Sequence, residues 1–96
     1  MQDNECMMNS EKNHWLATKD NLKNLLLEIA DPKMMINTEK VVDNLTKLVR
    51  SNPDLSDDML QNLILRQVFN MCDGRKLGQA RLVSRNILNQ MRQAKC

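Results

Sequence analysis

Apolar residues recur with a helical period along most of the chain, and the clearest stripe lies between its two prolines. Within residues 39–50, apolar positions follow the spacing i, i+1, i+4, i+7 and i+8, which marks one face of an α-helix. These positions are Val41, Val42, Leu45, Leu48 and Val49. Asn37 or Thr38 is suited to cap this helix, and Glu39 suits the positive end of its dipole.

A first helix is predicted over residues 11–30, after a tail of residues 1–10 that shows no periodicity. Its apolar face carries Trp15, Leu22, Leu25, Leu26 and Ile29. Trp15 is expected to lie in the core rather than to stack on a ligand. The helix should stop at Asp31, because a residue that precedes proline disfavours the helical region.

Two further helices are predicted after the second proline. Ser56 is suited to cap the third, with two acids in its first turn, and Gly74 is expected to end it as the C′ residue. Its apolar positions are Met59, Leu60, Leu63, Ile64, Val68 and Met71. The last helix, residues 76–93 before a short end at 94–96, is expected to bury Leu77, Ala80, Val83, Ile87, Leu88 and Met91. Gly78 should allow a neighbouring backbone to approach it closely.

The predicted fold is all-α: a compact bundle of four to five helices without a sheet, forming one domain over residues 11–93. Composition agrees, since the chain has one Trp, one Phe, no Tyr and two Gly, whereas sheets favour aromatic residues and frequent turns. A chain of 96 residues can build one core. We expect the helix over 39–50 to be the central scaffold, packed against the third and fourth helices.

Candidate chemistry is sparse. The sequence holds no phosphate-binding glycine loop, no HExxH, and no Ser, His and acid set in a suggestive context, so we predict no enzyme, cofactor or small-molecule substrate. His14, the only histidine, has no partner at a metal-ligand spacing and is expected at the surface. The three cysteines, Cys6, Cys72 and Cys96, lack a CxxC spacing and favour a reducing intracellular compartment. No segment approaches the ~20 apolar residues of a membrane span.

Charge divides the chain. Residues 1–73 carry eight cations and all twelve acids, a net of −4, whereas residues 74–96 carry six cations and no acid. This basic end suits an acidic partner, or serves only to keep a helix face hydrated and to complement the helix dipole. The basic end also suggests an alternative function, nucleic-acid binding. A helix after the Gly74 turn would then contact phosphates or bases through Arg75, Lys76, Arg81 and Arg85.

The connector after the first helix is unusual because it contains three consecutive apolar residues, Met34, Met35 and Ile36. They either tuck under the end of the bundle or form part of an apolar surface pocket. In the second case Met34, Met35 and Phe69 are candidate groove residues for a disordered peptide, with the basic last helix as the rim. A subunit that dimerises through exposed Met and Leu residues is a third possibility.

Residues 21–92 resemble the helical domain of the transcription elongation factor IIS N-terminal type, and most closely the integrase-binding domain of lens-epithelium-derived growth factor. Three stretches carry the resemblance: LKNL at 22–25 with EIAD at 28–31, VVDNLTKL at 41–48, and VSRNILNQMR at 83–92. The turn at 72–74 departs from the family, which has Phe and Val in that loop.

The resemblance implies a right-handed bundle without catalytic activity that binds short disordered segments of nuclear transcription and chromatin proteins. Such segments combine acids with an apolar anchor and dock at two inter-helical loops. The first loop here is Ile29, Ala30 and Asp31, with Asp31 accepting a hydrogen bond from the partner backbone. The second is residues 69–77, where Phe69 or Met71 supplies an apolar wall. Arg66, Arg75 and Lys76 would attract the acids.

Overall fold

Four α-helices form the fold in a computed structural model, which describes residues 9–94 and the side chains of residues 15–93. Helix α1 is Asn9–Ile29, α2 is Thr38–Ser51, α3 is Asp57–Phe69 and α4 is Leu77–Ala94. Two 3₁₀ turns, Pro32–Met34 and Gly74–Lys76, lie in the connections before α2 and α4. The described residues contain no strand, so the prediction of an all-α bundle is confirmed.

The first helix begins within the predicted tail, since Asn9 and Ser10 are already helical. The rest of that tail with Cys6, the side chain of His14, and Cys96 lie outside the described residues. Predictions about them therefore remain predictions.

One face of each helix builds the core. The fully buried apolar residues of the helices are Leu22, Leu26, Ile29, Val42, Leu45, Leu60, Ile64, Val68, Ala80, Ile87 and Leu88. Helix α4 packs against both α3 and α1, whereas α2 packs mainly against α1 and α3. The expectation that α2 is the central scaffold is therefore wrong. Only Val42 and Leu45 of its stripe are fully buried, and α4 takes the central place instead.

The helix starts follow the predicted capping chemistry. The side chain of Asn37 accepts a hydrogen bond from the backbone N–H of Lys40 at 3.2 Å, so Asn37 rather than Thr38 caps α2. Ser56 Oγ accepts from the backbone N–H of Met59 at 3.3 Å and caps α3 as predicted. Each cap satisfies one donor that the helix itself leaves unpaired.

The predictions for the two glycines are wrong. Helix α3 ends at Phe69 with Asn70 as its C-cap, and no described glycine has a positive φ. Gly74 instead opens a 3₁₀ turn that Asp73 caps. Gly78 has open space where a Cβ would lie, so no backbone approaches it closely. Leu77, predicted to be buried, is 47% exposed.

One side-chain contact links two helices, and one buried hydroxyl bonds within its own helix. Trp15, predicted to be core, is half-buried, and Arg50 Cζ lies 5.9 Å from its ring centroid in a cation–π arrangement that links α1 to α2. Ser84 is fully buried in α4, and its hydroxyl donates to the carbonyl of Ala80 at 2.8 Å. The helical pattern of apolar residues did not identify Ser84, because a serine can enter a core by bonding to its own helix.

Candidate functional site

The connection before α2 and the connection after α3 meet at one end of the bundle. The backbone N–H of Asp31 donates to the carbonyl of Met71 at 2.8 Å, and that of Asp73 donates to the carbonyl of Ile29 at 2.8 Å. Ala30 and Cys72 lie opposite each other between these bonds as an isolated antiparallel bridge. We refer to residues 30–37 and 70–76 as the paired loops. They are far apart in sequence, but the bridge fixes their separation.

A lysine adds a third tie to this end. Lys76 Nζ donates to the backbone carbonyl of Glu28 at 2.7 Å. Glu28 lies in the last turn of α1, where carbonyl groups lack helical partners and the dipole is negative, so a cation is favoured there. This sequence-predicted site residue therefore contributes to the joint between the loops and α1.

The first loop presents two methionines to solvent. Asp31 Oδ1 accepts from the backbone N–H of Lys33 at 2.9 Å and caps the 3₁₀ turn. Met35 follows that turn with φ 47° and ψ 53°, a left-handed conformation that is uncommon for any residue with a Cβ. Its side chain is 90% exposed, and that of Met34 is 52% exposed. The chain thus holds apolar side chains outward at this point, at a cost in backbone strain.

The remaining predicted residues divide between core and surface. Ile29 and Met71 are buried in the core, and their backbone carbonyls accept the two hydrogen bonds that join the loops. Phe69 is 47% exposed and Arg66 is exposed. Of the two residues predicted as an apolar wall, Phe69 is therefore the one whose side chain faces outward.

A pocket of about 230 Å³ opens beside the paired loops, between α2 and α3. Its apolar lining consists of Ile36, Val41, Leu45 and Met71. Its polar lining consists of the carboxamides of Asn44, Gln67 and Asn70. We call it the α2–α3 pocket. Sequence reasoning identified only Met71 as a site residue here, because the pocket depends on how two helices meet. The sequence feature that could have indicated the pocket is Ile36, which belongs to the same apolar run as Met34 and Met35.

Electrostatics within the second loop are local. Arg75 Nη2 lies 3.3 Å from Asp73 Oδ2, and the backbone N–H of Arg75 donates to Asp73 Oδ1 at 3.0 Å. This backbone hydrogen bond, and then the guanidinium, hold the pKa of Asp73 below its ordinary value. Burial raises the pKa of the neighbouring Cys72 thiol. Arg75 therefore already has an acidic partner within its own loop.

Two arginines of α4 are also paired inside the fold. Arg85 Nη1 lies 3.4 Å from Asp58 Oδ1 and 3.2 Å from Gln61 Oε1. Arg92 Nη2 lies 2.8 Å from Asp57 Oδ1. These acids lie in the first turn of α3, so they complement the dipole of α3 and the arginines of α4 together. We call this set the α3–α4 ion-paired face.

Other features of the described residues give less indication of a functional site. A second pocket of about 340 Å³ lies between α1 and α4 and is lined by Thr18, Asn21, Gln90 and Gln93, none of which is titratable. The part of the chain that the structure describes contains no cluster of His, Cys, Asp and Glu suited to a metal ion. Over the same residues, every helix is too short or too polar to cross a bilayer.

Comparison of the chain with protein-family models, with curated proteins and with solved structures finds no match.

Proposed function

We propose that this domain is a non-catalytic protein-interaction module that binds short disordered segments at the paired loops. The segments it suits combine acidic residues with an apolar anchor. The single observation that carries the proposal is the joining of the two loops at one end of the bundle, where Met34 and Met35 of the first loop and Phe69, one residue before the second loop, are exposed. Large apolar side chains grouped at one end of a small domain are typical of an interaction site.

The geometry of the loops supports a peptide rather than a large rigid partner. Asp31 keeps carboxylate lone pairs beyond the one that caps its own turn, so it can also accept a hydrogen bond from a partner backbone. Methionine side chains adapt to different anchors because they are flexible and polarizable. The resemblance to the elongation factor IIS N-terminal type suggests partners from transcription or chromatin and a nuclear location, which form part of this proposal.

The titratable groups give no support to catalysis. Three described side chains have clearly shifted pKa values: Lys19, Cys72 and Asp73. The pKa of Lys19 is raised chiefly by its hydrogen bond to Asp43, whose carboxylate lies 2.9 Å away. Each shift follows from burial or from a neighbour in the fold, as in an ordinary structural ion pair. A binding role requires no perturbed acid or base.

The alternative of nucleic-acid binding through α4 receives less support. Arg85 and Arg92 are occupied with acids of α3, and Arg75 and Lys76 with Asp73 and a carbonyl of α1. Arg81, the remaining residue of this alternative, is exposed and forms no ion pair within the described part of the chain. A phosphate backbone would have to displace these partners, because it binds through the same cations. The paired loops are therefore our first choice.

A peptide selection tests the proposal. Random peptides displayed on phage should enrich acidic sequences that contain an apolar anchor. The double variant Asp31→Asn, Phe69→Ala should weaken them by about tenfold, since anchor contacts dominate small interfaces. Asparagine retains the cap and Phe69 is half-exposed, so the fold should persist, which circular dichroism checks.

Leu82→Ala provides the matched control, because Leu82 is an apolar side chain in the second turn of α4, outside the paired loops, and is 76% exposed. Its affinity for the selected peptides should equal that of the wild type. Failure to enrich any peptide, or equal affinity for all three proteins, would overturn the proposal.

A further inference from the structure

The size of the α2–α3 pocket limits what it can hold. Sites for drug-sized molecules have volumes of roughly 300–1,000 Å³. At about 230 Å³, this pocket is smaller, and its inner surface is formed by Ile36, Val41, Leu45 and Met71. Its dimensions therefore suit one apolar side chain rather than a whole small molecule.

The rim of the pocket carries hydrogen-bonding groups. Asn44 projects from α2, and Gln67 and Asn70 lie at the end of α3, all three exposed to solvent. A carboxamide both donates and accepts, which matches the N–H and C=O groups of an extended peptide backbone. By contrast, Asn52 Nδ2 donates to the carbonyl of Leu48 at 2.7 Å and is used within the fold. The rim can therefore hold the backbone on either side of an anchor.

Three cations stand about one helical turn from residues of the rim. Lys40 and Lys47 stand four residues before and three residues after Asn44 on α2, and Arg66 stands four residues before Asn70 at the end of α3. Residues at these spacings share a helix face. All three cations are exposed, and none forms an ion pair within the described part of the chain. Positive charge around the pocket is thus available to a ligand.

We infer that the α2–α3 pocket takes the apolar anchor of an acidic peptide, whose carboxylates on either side of the anchor meet Lys40, Lys47 and Arg66. The inference rests on the proposed function and adds to it the position of the anchor and of the basic rim. Arg75 and Lys76 do not form that rim, because they are held by Asp73 and by the carbonyl of Glu28. The paired loops border the pocket through Ile36, Asn70 and Met71.

Nuclear magnetic resonance titration with synthetic peptides tests the inference. The probes are short peptides of Asp and Glu with a single central Phe, Leu or Ala. The Phe and Leu peptides should shift the side-chain NH₂ signals of Asn44, Gln67 and Asn70, and the Ala peptide should not. Asn62 is an exposed residue of α3 outside the pocket, so its NH₂ signal should stay unchanged.

Charge reversal tests the rim. Lys47→Glu and Arg66→Glu should each weaken the Phe peptide about two- to fivefold, as expected of partly screened surface charges. Arg81→Glu is the control, because it changes the net charge equally from an exposed position of α4 that does not line the pocket. Equal weakening by all three variants would show only a general charge effect and would contradict the inference.

The outcomes separate the two proposals. One outcome is that the double variant Asp31→Asn, Phe69→Ala weakens binding, while the carboxamide signals do not shift and both rim variants bind like the wild type. That outcome would support peptide binding at the paired loops and contradict the assignment of the anchor to the pocket. If neither the selected peptides nor the acidic probes bind the wild type, the proposed function and the pocket inference are both contradicted. Shifts confined to the pocket with loss on charge reversal support the inference.

Discussion

The paired-loop end and the α3–α4 ion-paired face both carry arginines and lysines, but they differ in what those cations already contact. On the α3–α4 face, Arg85 and Arg92 meet Asp58 and Asp57 of the same chain. Beside the α2–α3 pocket, Lys40, Lys47 and Arg66 are exposed and form no ion pair among the described residues. The number of cations in a segment therefore does not show how many of them are available to a ligand.

The largest expected effect concerns the two kinds of methionine at the loop end. Met71 is 4% exposed and Met35 is 90% exposed. Met71→Ala should lower the free energy of unfolding by about 2–5 kcal/mol, because it leaves a cavity in the core. Met35→Ala should change it by less than about 0.5 kcal/mol. Urea unfolding of both variants measures this. Similar losses for the two would contradict the division of this end into a core and a surface part.

The next effect is the strength of the ion pairs on the α3–α4 ion-paired face. A double-mutant cycle with Arg92→Ala and Asp57→Ala should give a coupling of about 0.2–1 kcal/mol, since both side chains are partly exposed. A cycle of Arg81→Ala with Asp57→Ala is the control, and it should give none beyond about 0.3 kcal/mol. Absence of coupling in the first cycle would mean that Arg92 is as available to a ligand as Arg66.

The smallest effect is the pH dependence of the second loop. The pKa of Asp73 is lowered in the folded state, so its contribution to stability is present above the unfolded pKa of about 3.9 and is lost as the pH falls through the lower folded value. Asp73→Asn keeps the capping oxygen but removes the charge. The wild type should exceed the variant in stability at about pH 7 and lose that advantage as the pH falls below the unfolded pKa and through the lower folded value. An unchanged difference would show that the charge of Asp73 contributes nothing.

The sequence predicted the helices well where the determining chemistry is local. Asn37 and Ser56 cap the helices that follow them, and the proline at position 32 excludes continuation of α1. The prediction that Gly74 ends α3 was wrong because the helix stops before it. Its C-cap is Asn70, whose backbone N–H donates to the carbonyls of Gln67 and Val68. A glycine shortly after an apolar run predicts a helix end, but another residue can end the helix first.

The candidate site was predicted only in part because it is tertiary. Met35 and Phe69 could be singled out as candidate groove residues, and Asp31 through the family resemblance. The bridge that joins Asp31 to Met71 spans forty residues of sequence, and no local pattern predicts it. The same holds for the ion pair of Arg92 with Asp57, because counting charges along the sequence does not show which of them pair in the fold. Burial of Ile29 and Met71 likewise depends on how the helices pack.

The measurement that tests the central claim most directly is a chemical-shift map of the domain with a phage-selected acidic peptide. Backbone amides of residues 30–37 and 70–76 and of the α2–α3 pocket should shift, whereas those of residues 81–92 on α4 should not. Shifts confined to α4, with the paired loops unchanged, would contradict the account.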